Sequence, residues 1–229
     1  MALHSTYEVR WKNFKGFKDT DWIKIKPITV LIGANNAGKT SFVAPFLLMN
    51  QTLSSRDTAS SLIVKGSLYD GGNIQELLND YDFEKEIFFG FRYHIHEPTK
   101  RKLSKVGSYP PGAIEVTLVV NNDKDRDIIV KQETVYDMFL RKFFQLTRNK
   151  EGFYALTGLD KNKMEIDEKA AIEKSSPLNF LFSPNSLLSA AIKENEKLDE
   201  KTRSKRISKE FSTLLEFVSH NFSMVKKII

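Results

Sequence analysis

The stretch Gly33-Ala34-Asn35-Asn36-Ala37-Gly38-Lys39-Thr40 constrains the fold of this 229-residue chain more than any other. It matches the pattern G-x-x-x-x-G-K-[ST]. In that pattern the glycines let backbone N–H groups curl around a β-phosphate, the lysine brings positive charge to the β/γ oxygens, and the hydroxyl reaches Mg²⁺. The flanks supply the order this chemistry requires. Ile28-Thr29-Val30-Leu31-Ile32 is an unbroken β-type run ending at Gly33, and Ser41 to Met49 reads as a helix. Strand, glycine-rich turn and helix N-terminus follow one another. The run is expected to form a buried strand feeding the loop. The helix, apolar almost all round, is expected to be buried on several sides as in a layered α/β core, with a kink at Pro45.

The rest of the chain is organised around this unit. Tyr7, Val9 and Trp11 alternate with Glu8, Arg10 and Lys12, the period of a half-buried strand. After a turn at Asp19-Thr20-Asp21, Trp22 to Lys26 alternates again, and Pro27 ends it. A polar stretch beyond Gln51 leads to the turn Asp70-Gly71-Gly72 and a short helix over Asn73 to Asn79. Glu86 to Ile95 reads as a strand with Ile87, Phe89, Phe91, Tyr93 and Ile95 on one face. Residues 97–112 form a long loop. Ala113 to Val120 and Asp127 to Gln132 read as a hairpin. From Glu133 the spacing of Val135, Met138, Phe139 and Phe143 predicts a helix, with a small β-patch at Phe153 to Leu156 and Met164 to Ile166. Ile207, Phe211, Leu214, Val218, Phe222, Val225 and Ile229 form one apolar stripe, which suits an amphipathic helix better than a coiled coil. Two parts are expected: a nucleotide-binding lobe over residues 1–134 and a mainly helical extension over 135–229. Lys226-Lys227-Ile228-Ile229 holds no stop signal, so the chain reads as cut.

Composition narrows the partners. There is no cysteine, which excludes disulfides and thiolate metal sites. Tyr7 to Lys26 is too charged for a signal peptide, and no apolar run approaches the ~20 residues of a membrane span. A cytoplasmic protein with no membrane partner is expected. The net charge of +6 favours anionic partners, nucleotide or nucleic acid. Lys100, Arg101, Lys102 and Lys105 make a basic loop, and Lys201, Arg203, Lys205, Arg206 and Lys209 a basic helix. Either could touch DNA, although solvated charge is the usual role of such runs. His94 and His96 sit two apart on a strand, but no third ligand is evident, and a simple strand-end pair is expected.

Phosphate loops serve many enzyme classes, so the surrounding residues must choose among them. Val9-Arg10-Trp11-Lys12-Asn13-Phe14-Lys15-Gly16-Phe17 precedes Pro27 to Ser41. That pairing resembles the N-terminus of the SMC/ABC-like AAA ATPases, which include recombination and repair ATPases and the OLD-type anti-phage ATPases. Those families carry an N-F-[KR]-x-[FH] segment leading into a G-x-N-[NG]-x-G-K-[ST]-[ST] loop. The Asn35-Asn36 pair is most similar to the OLD and related defence branches. The segment from Lys65 to Leu78 also resembles a stretch downstream of the loop in some bacterial members. The strong part of the match covers about the first fifty residues.

The resemblance implies an α/β fold: a P-loop NTPase core of the ABC/SMC-like kind, flanked by antiparallel strands and followed by a helical extension. It implies ATP and Mg²⁺ as cofactors, with Gly33, Asn35, Asn36, Ala37, Gly38, Lys39, Thr40 and Ser41 around the triphosphate. Lys39 would serve the β/γ-phosphates and the reaction, Thr40 the metal, and Ser41 the α-phosphate. Lys15 takes the place of a basic residue that lies near nucleotide in relatives, though a solvated strand lysine fits equally. A glutamine sensing Mg²⁺ and γ-phosphate is also implied; Gln132 is the better candidate by position, and Gln51 the other.

Hydrolysis in these families needs an hhhhD-E strand and a signature loop from an opposing subunit. Leu118-Val119-Val120-Asn121-Asn122-Asp123 is the nearest approach and lacks the carboxylate pair, and no L-S-G-G-x loop occurs. Such elements lie in the C-terminal half of SMC-like proteins. The chain is therefore expected to be the N-terminal lobe of a larger ATPase, inactive in hydrolysis alone. It would work as a homodimer closed over two ATP molecules, in anti-phage defence or DNA repair, with a nuclease, another effector or DNA as further partners. The competing reading is a non-hydrolysing scaffold that nucleotide stabilises for a partner nuclease. A nucleotide kinase or GTPase would need a lid or an N-K-x-D motif, and neither is found.

Overall fold

The computed structural model describes residues 6–55, 60–94, 111–120, 127–137, 139, 142–150, 154–158 and 163–166. Nine strands are described: β1 (Thr6–Phe14), β2 (Phe17–Asp19), β3 (Ile23–Ile25), β4 (Ile87–His94), β5 (Pro111–Val120), β6 (Ile128–Asp137), β7 (Lys142–Arg148), β8 (Tyr154–Gly158) and β9 (Lys163–Ile166). They form one sheet in the order β2-β1-β4-β5-β6-β7-β8-β9, with β3 also on β1. Every pairing is antiparallel. A single α-helix among the described residues, α1 (Lys39–Ser54), packs on one face. Helix on sheet is the α/β arrangement expected.

The inner face follows from period-two alternation. Val9 and Trp11 on β1, Ile87, Phe89 and Phe91 on β4, and Ile114, Val116 and Leu118 on β5 are all buried. The helix lays Phe42, Ala44, Leu48 and Met49 against them. Trp11 is the hub. Its ring stands nearly perpendicular to those of Phe46, Phe89 and Phe91, at centroid distances of 5.2, 5.4 and 5.5 Å. Its Nε1–H donates to the Phe42 carbonyl at 3.1 Å, tying sheet to helix. Asn13 takes a positive φ of 52°. This shifts the phase of the strand by one residue, so that Phe14 rather than Asn13 is buried.

Strands β2 and β3 share one edge of β1, and Thr20 fills the gap between them. Its N–H donates to the Trp11 carbonyl and its Oγ1 accepts from the Trp11 N–H. Asp19 closes the same corner through Arg10, whose Nε and Nη2 donate to its two oxygens at 2.8 and 2.5 Å. The Arg10 hydrogen bond holds the Asp19 carboxyl at a pKa of about 2, below the usual carboxylate range. A depressed folded pKa stabilises the fold above the unfolded value and ceases to as the pH falls through the folded one. Both side chains are partly exposed, at 24% and 34%, so solvent screening reduces the contribution to about 1 kcal/mol. Urea unfolding of the parent should therefore show a stability loss between about pH 4 and pH 2 that Asp19→Asn lacks. Parallel pH profiles for the two proteins would contradict the assignment.

Three sequence expectations are corrected. Ile28 to Ile32 is not a buried strand: it has no ladder partner among the described residues, and Ile28, Val30 and Ile32 are 84%, 73% and 91% exposed. A β-type run becomes a strand only when another strand supplies hydrogen bonds. Second, the helix expected from Glu133 is absent; β6 continues to Asp137 and β7 follows. The boundary drawn at 134/135 falls inside β6, and β7, β8 and β9 continue the same sheet. Third, the short helix over Asn73 to Asn79 is a pair of 3-10 turns, Ile74–Leu77 and Asn79–Tyr81. The apolar stripe from Ile207 to Ile229, the basic loop at 100–105, the basic helix at 201–209 and His96 all lie outside the described residues.

Candidate phosphate-binding site

The loop is built at the head of α1. Gly38 precedes the helix with φ 86° and ψ 8°, a left-handed conformation that glycine adopts without the Cβ penalty other residues meet. Asn36 is also left-handed, at φ 64°, and the Ala37 N–H donates to the Ala34 carbonyl at 3.2 Å. These two reversals bring Gly33 under Ala37: a Cβ on Gly33 would stand 3.2 Å from the Ala37 methyl. The first bond of the helix runs from the Phe42 N–H to the Gly38 carbonyl at 2.9 Å. The N–H groups of Lys39, Thr40 and Ser41 therefore precede the helical ladder.

Electrostatics at this end suit an anion. No side chain caps the helix N-terminus, and its first turn holds no acidic residue. The partial positive charge of the helix end and the Lys39 ammonium thus act together. Lys39 Nζ donates to the Gly33 and Ala34 carbonyls at 2.7 and 2.6 Å, which folds it across the mouth of the loop. Thr40 is exposed and Ser41 half-buried on the first turn. A curled backbone, a cationic side chain and a free hydroxyl at a helix N-terminus fit a nucleotide phosphate with its metal. The structure thus brings Gly33, Asn35, Asn36, Ala37, Gly38, Lys39, Thr40 and Ser41 together in one loop and helix turn.

Other candidates are engaged elsewhere. Lys15, in the β1–β2 turn at φ 47°, donates from Nζ to the Gly71 and Glu76 carbonyls at 3.3 and 3.5 Å and lies over the Tyr69 ring. Its backbone binds the same region: the Lys15 N–H donates to the Leu77 carbonyl, and Asn79 Nδ2 donates to the Lys15 carbonyl. Phe14, bridged to Leu78, and Lys15 thus anchor residues 71–79, while Asn13 donates to the Glu86 carbonyl. Gln132 lies within β6, opposite Thr117 and Thr147. It faces away from α1, accepting from Gln145 Nε2 and donating to Thr134 Oγ1. The structure does not bring it to the loop. Gln51 is buried twelve residues into α1 from Lys39, about 18 Å along the axis. It donates to the Ile63 carbonyl and accepts from the Tyr69 N–H, fastening the 62–71 segment to the helix. His94 shares a 2.8 Å hydrogen bond with Glu8.

One contact was not singled out in the sequence. The Phe17 ring packs against Gly38, its Cζ 3.3 Å from where a Cβ there would stand. The signal was present as the second aromatic of Asn13-Phe14-Lys15-Gly16-Phe17, but only the fold brings it to the loop.

No helix among the described residues is long and apolar enough to cross a membrane. A family model described as AAA ATPase domain matches residues 7–228. No curated protein matches the chain.

Proposed function

The chain belongs to the AAA ATPase domain family, and from that premise we propose that residues 33–41 bind ATP with Mg²⁺ in the N-terminal lobe of a cytoplasmic SMC/OLD-like ATPase. Asn35 to Ser41 wrap the triphosphate, Lys39 serves the β/γ-phosphates, the Thr40 hydroxyl holds the metal and Ser41 approaches the α-phosphate. Bound Mg²⁺ neutralises charge on the β/γ oxygens. One observation carries this reading: left-handed Gly38 opens α1, with three N–H groups ahead of the ladder and no acidic residue in the first turn.

Residues 33–37 are all exposed, so a phosphate chain seated there has protein on one side. This supports a second copy closing over the nucleotide. Closure would then drive anti-phage defence or DNA repair; the Asn35-Asn36 pair favours defence. Dimerisation with ATP but without turnover would fit the nucleotide-stabilised scaffold instead.

Titration calorimetry with ATP, ADP and AMP tests the site. Recognition centred on the β-phosphate predicts that ATP and ADP bind and that AMP binds at least about tenfold more weakly. AMP binding as tightly as ATP would sink the assignment. Sedimentation with saturating ATP tests closure, which is abandoned if the mass stays that of one chain.

A further inference from the structure

We propose that Phe17 is a positioning residue for the phosphate loop, setting how tightly that loop holds a nucleotide; the inference rests on the loop being the ATP site. Phe17 opens β2, opposite Phe14 on β1. Its half-buried ring meets Phe42 nearly edge-on, with centroids 6.4 Å apart. The ring tip points at Gly38: from the place a Cβ would occupy there, Cζ lies at 3.3 Å and Cε1 and Cε2 at 3.8 and 3.9 Å. The near-equal outer distances mean the ring axis is aimed at the glycine.

Those two contacts belong to one hydrogen bond. The Gly38 carbonyl accepts the Phe42 N–H, the first bond of α1, and Phe17 touches both residues. Gly38 and that bond orient the N–H groups of Lys39, Thr40 and Ser41. A glycine in the left-handed region has many alternatives open to it and loses more freedom on ordering than any other residue. A ring set against it removes some of those alternatives before ligand arrives. Pre-ordering of this kind raises affinity without adding a contact to the ligand. The strand does not itself demand the aromatic, because β2 is a three-residue edge strand whose other two residues are exposed.

The test uses the 229-residue chain and compares Phe17→Tyr and Phe17→Ala with the parent in ATP calorimetry and thermal unfolding. Tyr keeps the ring and the packing on Phe42 but adds an oxygen at the atom nearest Gly38. It should weaken ATP binding by about tenfold while moving Tm by less than about 2 °C. Ala, which frees the glycine, should weaken binding by a similar factor with a larger fall in Tm. Phe17→Tyr binding ATP as tightly as the parent overturns the role. Lys39→Ala is run alongside to separate the two failures. A parent that does not bind ATP removes the reading of the loop and this role with it. If instead the parent binds and Lys39→Ala does not, but Phe17→Tyr is unchanged, only the Phe17 role is removed.

Discussion

Lys39→Ala is expected to weaken ATP binding by about a hundredfold or more, because it removes charge-assisted contacts worth roughly 1.5–3 kcal/mol each. The fold should be nearly indifferent. Lys39 is only half-buried, and the carbonyls it holds, those of Gly33 and Ala34, lie in exposed loop and can turn to water. Unfolding should therefore shift by no more than about 0.5 kcal/mol, the range of ordinary surface substitutions. The contrast makes the experiment decisive: a large affinity change on an unchanged fold locates the ligand charge at this ammonium. Equal calorimetric affinities for variant and parent would place the phosphates elsewhere.

The largest stability effect should come from Trp11→Ala, at about 4 kcal/mol or more. Trp11 is fully buried, wedged among Phe46, Phe89 and Phe91, and bonded to the Phe42 carbonyl. Truncation leaves a cavity between β1, β4 and α1 and takes a donor from a buried carbonyl. Against a typical domain stability of about 5–15 kcal/mol, that is a large share. Trp11→Phe retains a ring and loses the N–H, so it should cost less, about 1–2 kcal/mol. Urea unfolding followed by circular dichroism measures both. A Trp11→Ala loss under about 1 kcal/mol would mean that helix and sheet are joined mainly by something else.

The Gly33–Ser41 loop was more legible in the sequence than the sheet was. Gly33 to Ser41 form the expected turn because local chemistry decides it: glycine at the left-handed position, and hydroxyls and lysine on the first helical turn. The strands β1, β4 and β5 were legible for the same reason, since their alternation matches the pleat. Two misreadings show where local pattern stops. Val135 and Phe139 are spaced as on a helix, yet Val135 stays in β6 and Phe139 lies in an exposed turn beyond it. The register shift opposite Val135 and Tyr136 leaves Phe143 as an extra residue on β7, so its place in the apolar spacing comes from a bulge and not from a helical turn. Ile28 to Ile32 has the apolar β-type character of a strand, but pairing is a property of two segments, and only one of them is written there. Gln51 could not be judged from its type at all. Its role depends on Ile63 and Tyr69 returning to the far end of α1.

The order of strands has a consequence in time. From β4 to β9 each strand lies beside its sequence neighbour, so those contacts close shorter stretches of chain than the one between β1 and β4. The pairing of β1 with β4 instead joins Thr6 to His94 and closes a long loop with the Gly33–Ser41 turn inside it. During synthesis that turn leaves the ribosome well before β4. The sheet on which α1 rests is thus completed only by a long-range closure, the slow kind of contact to form.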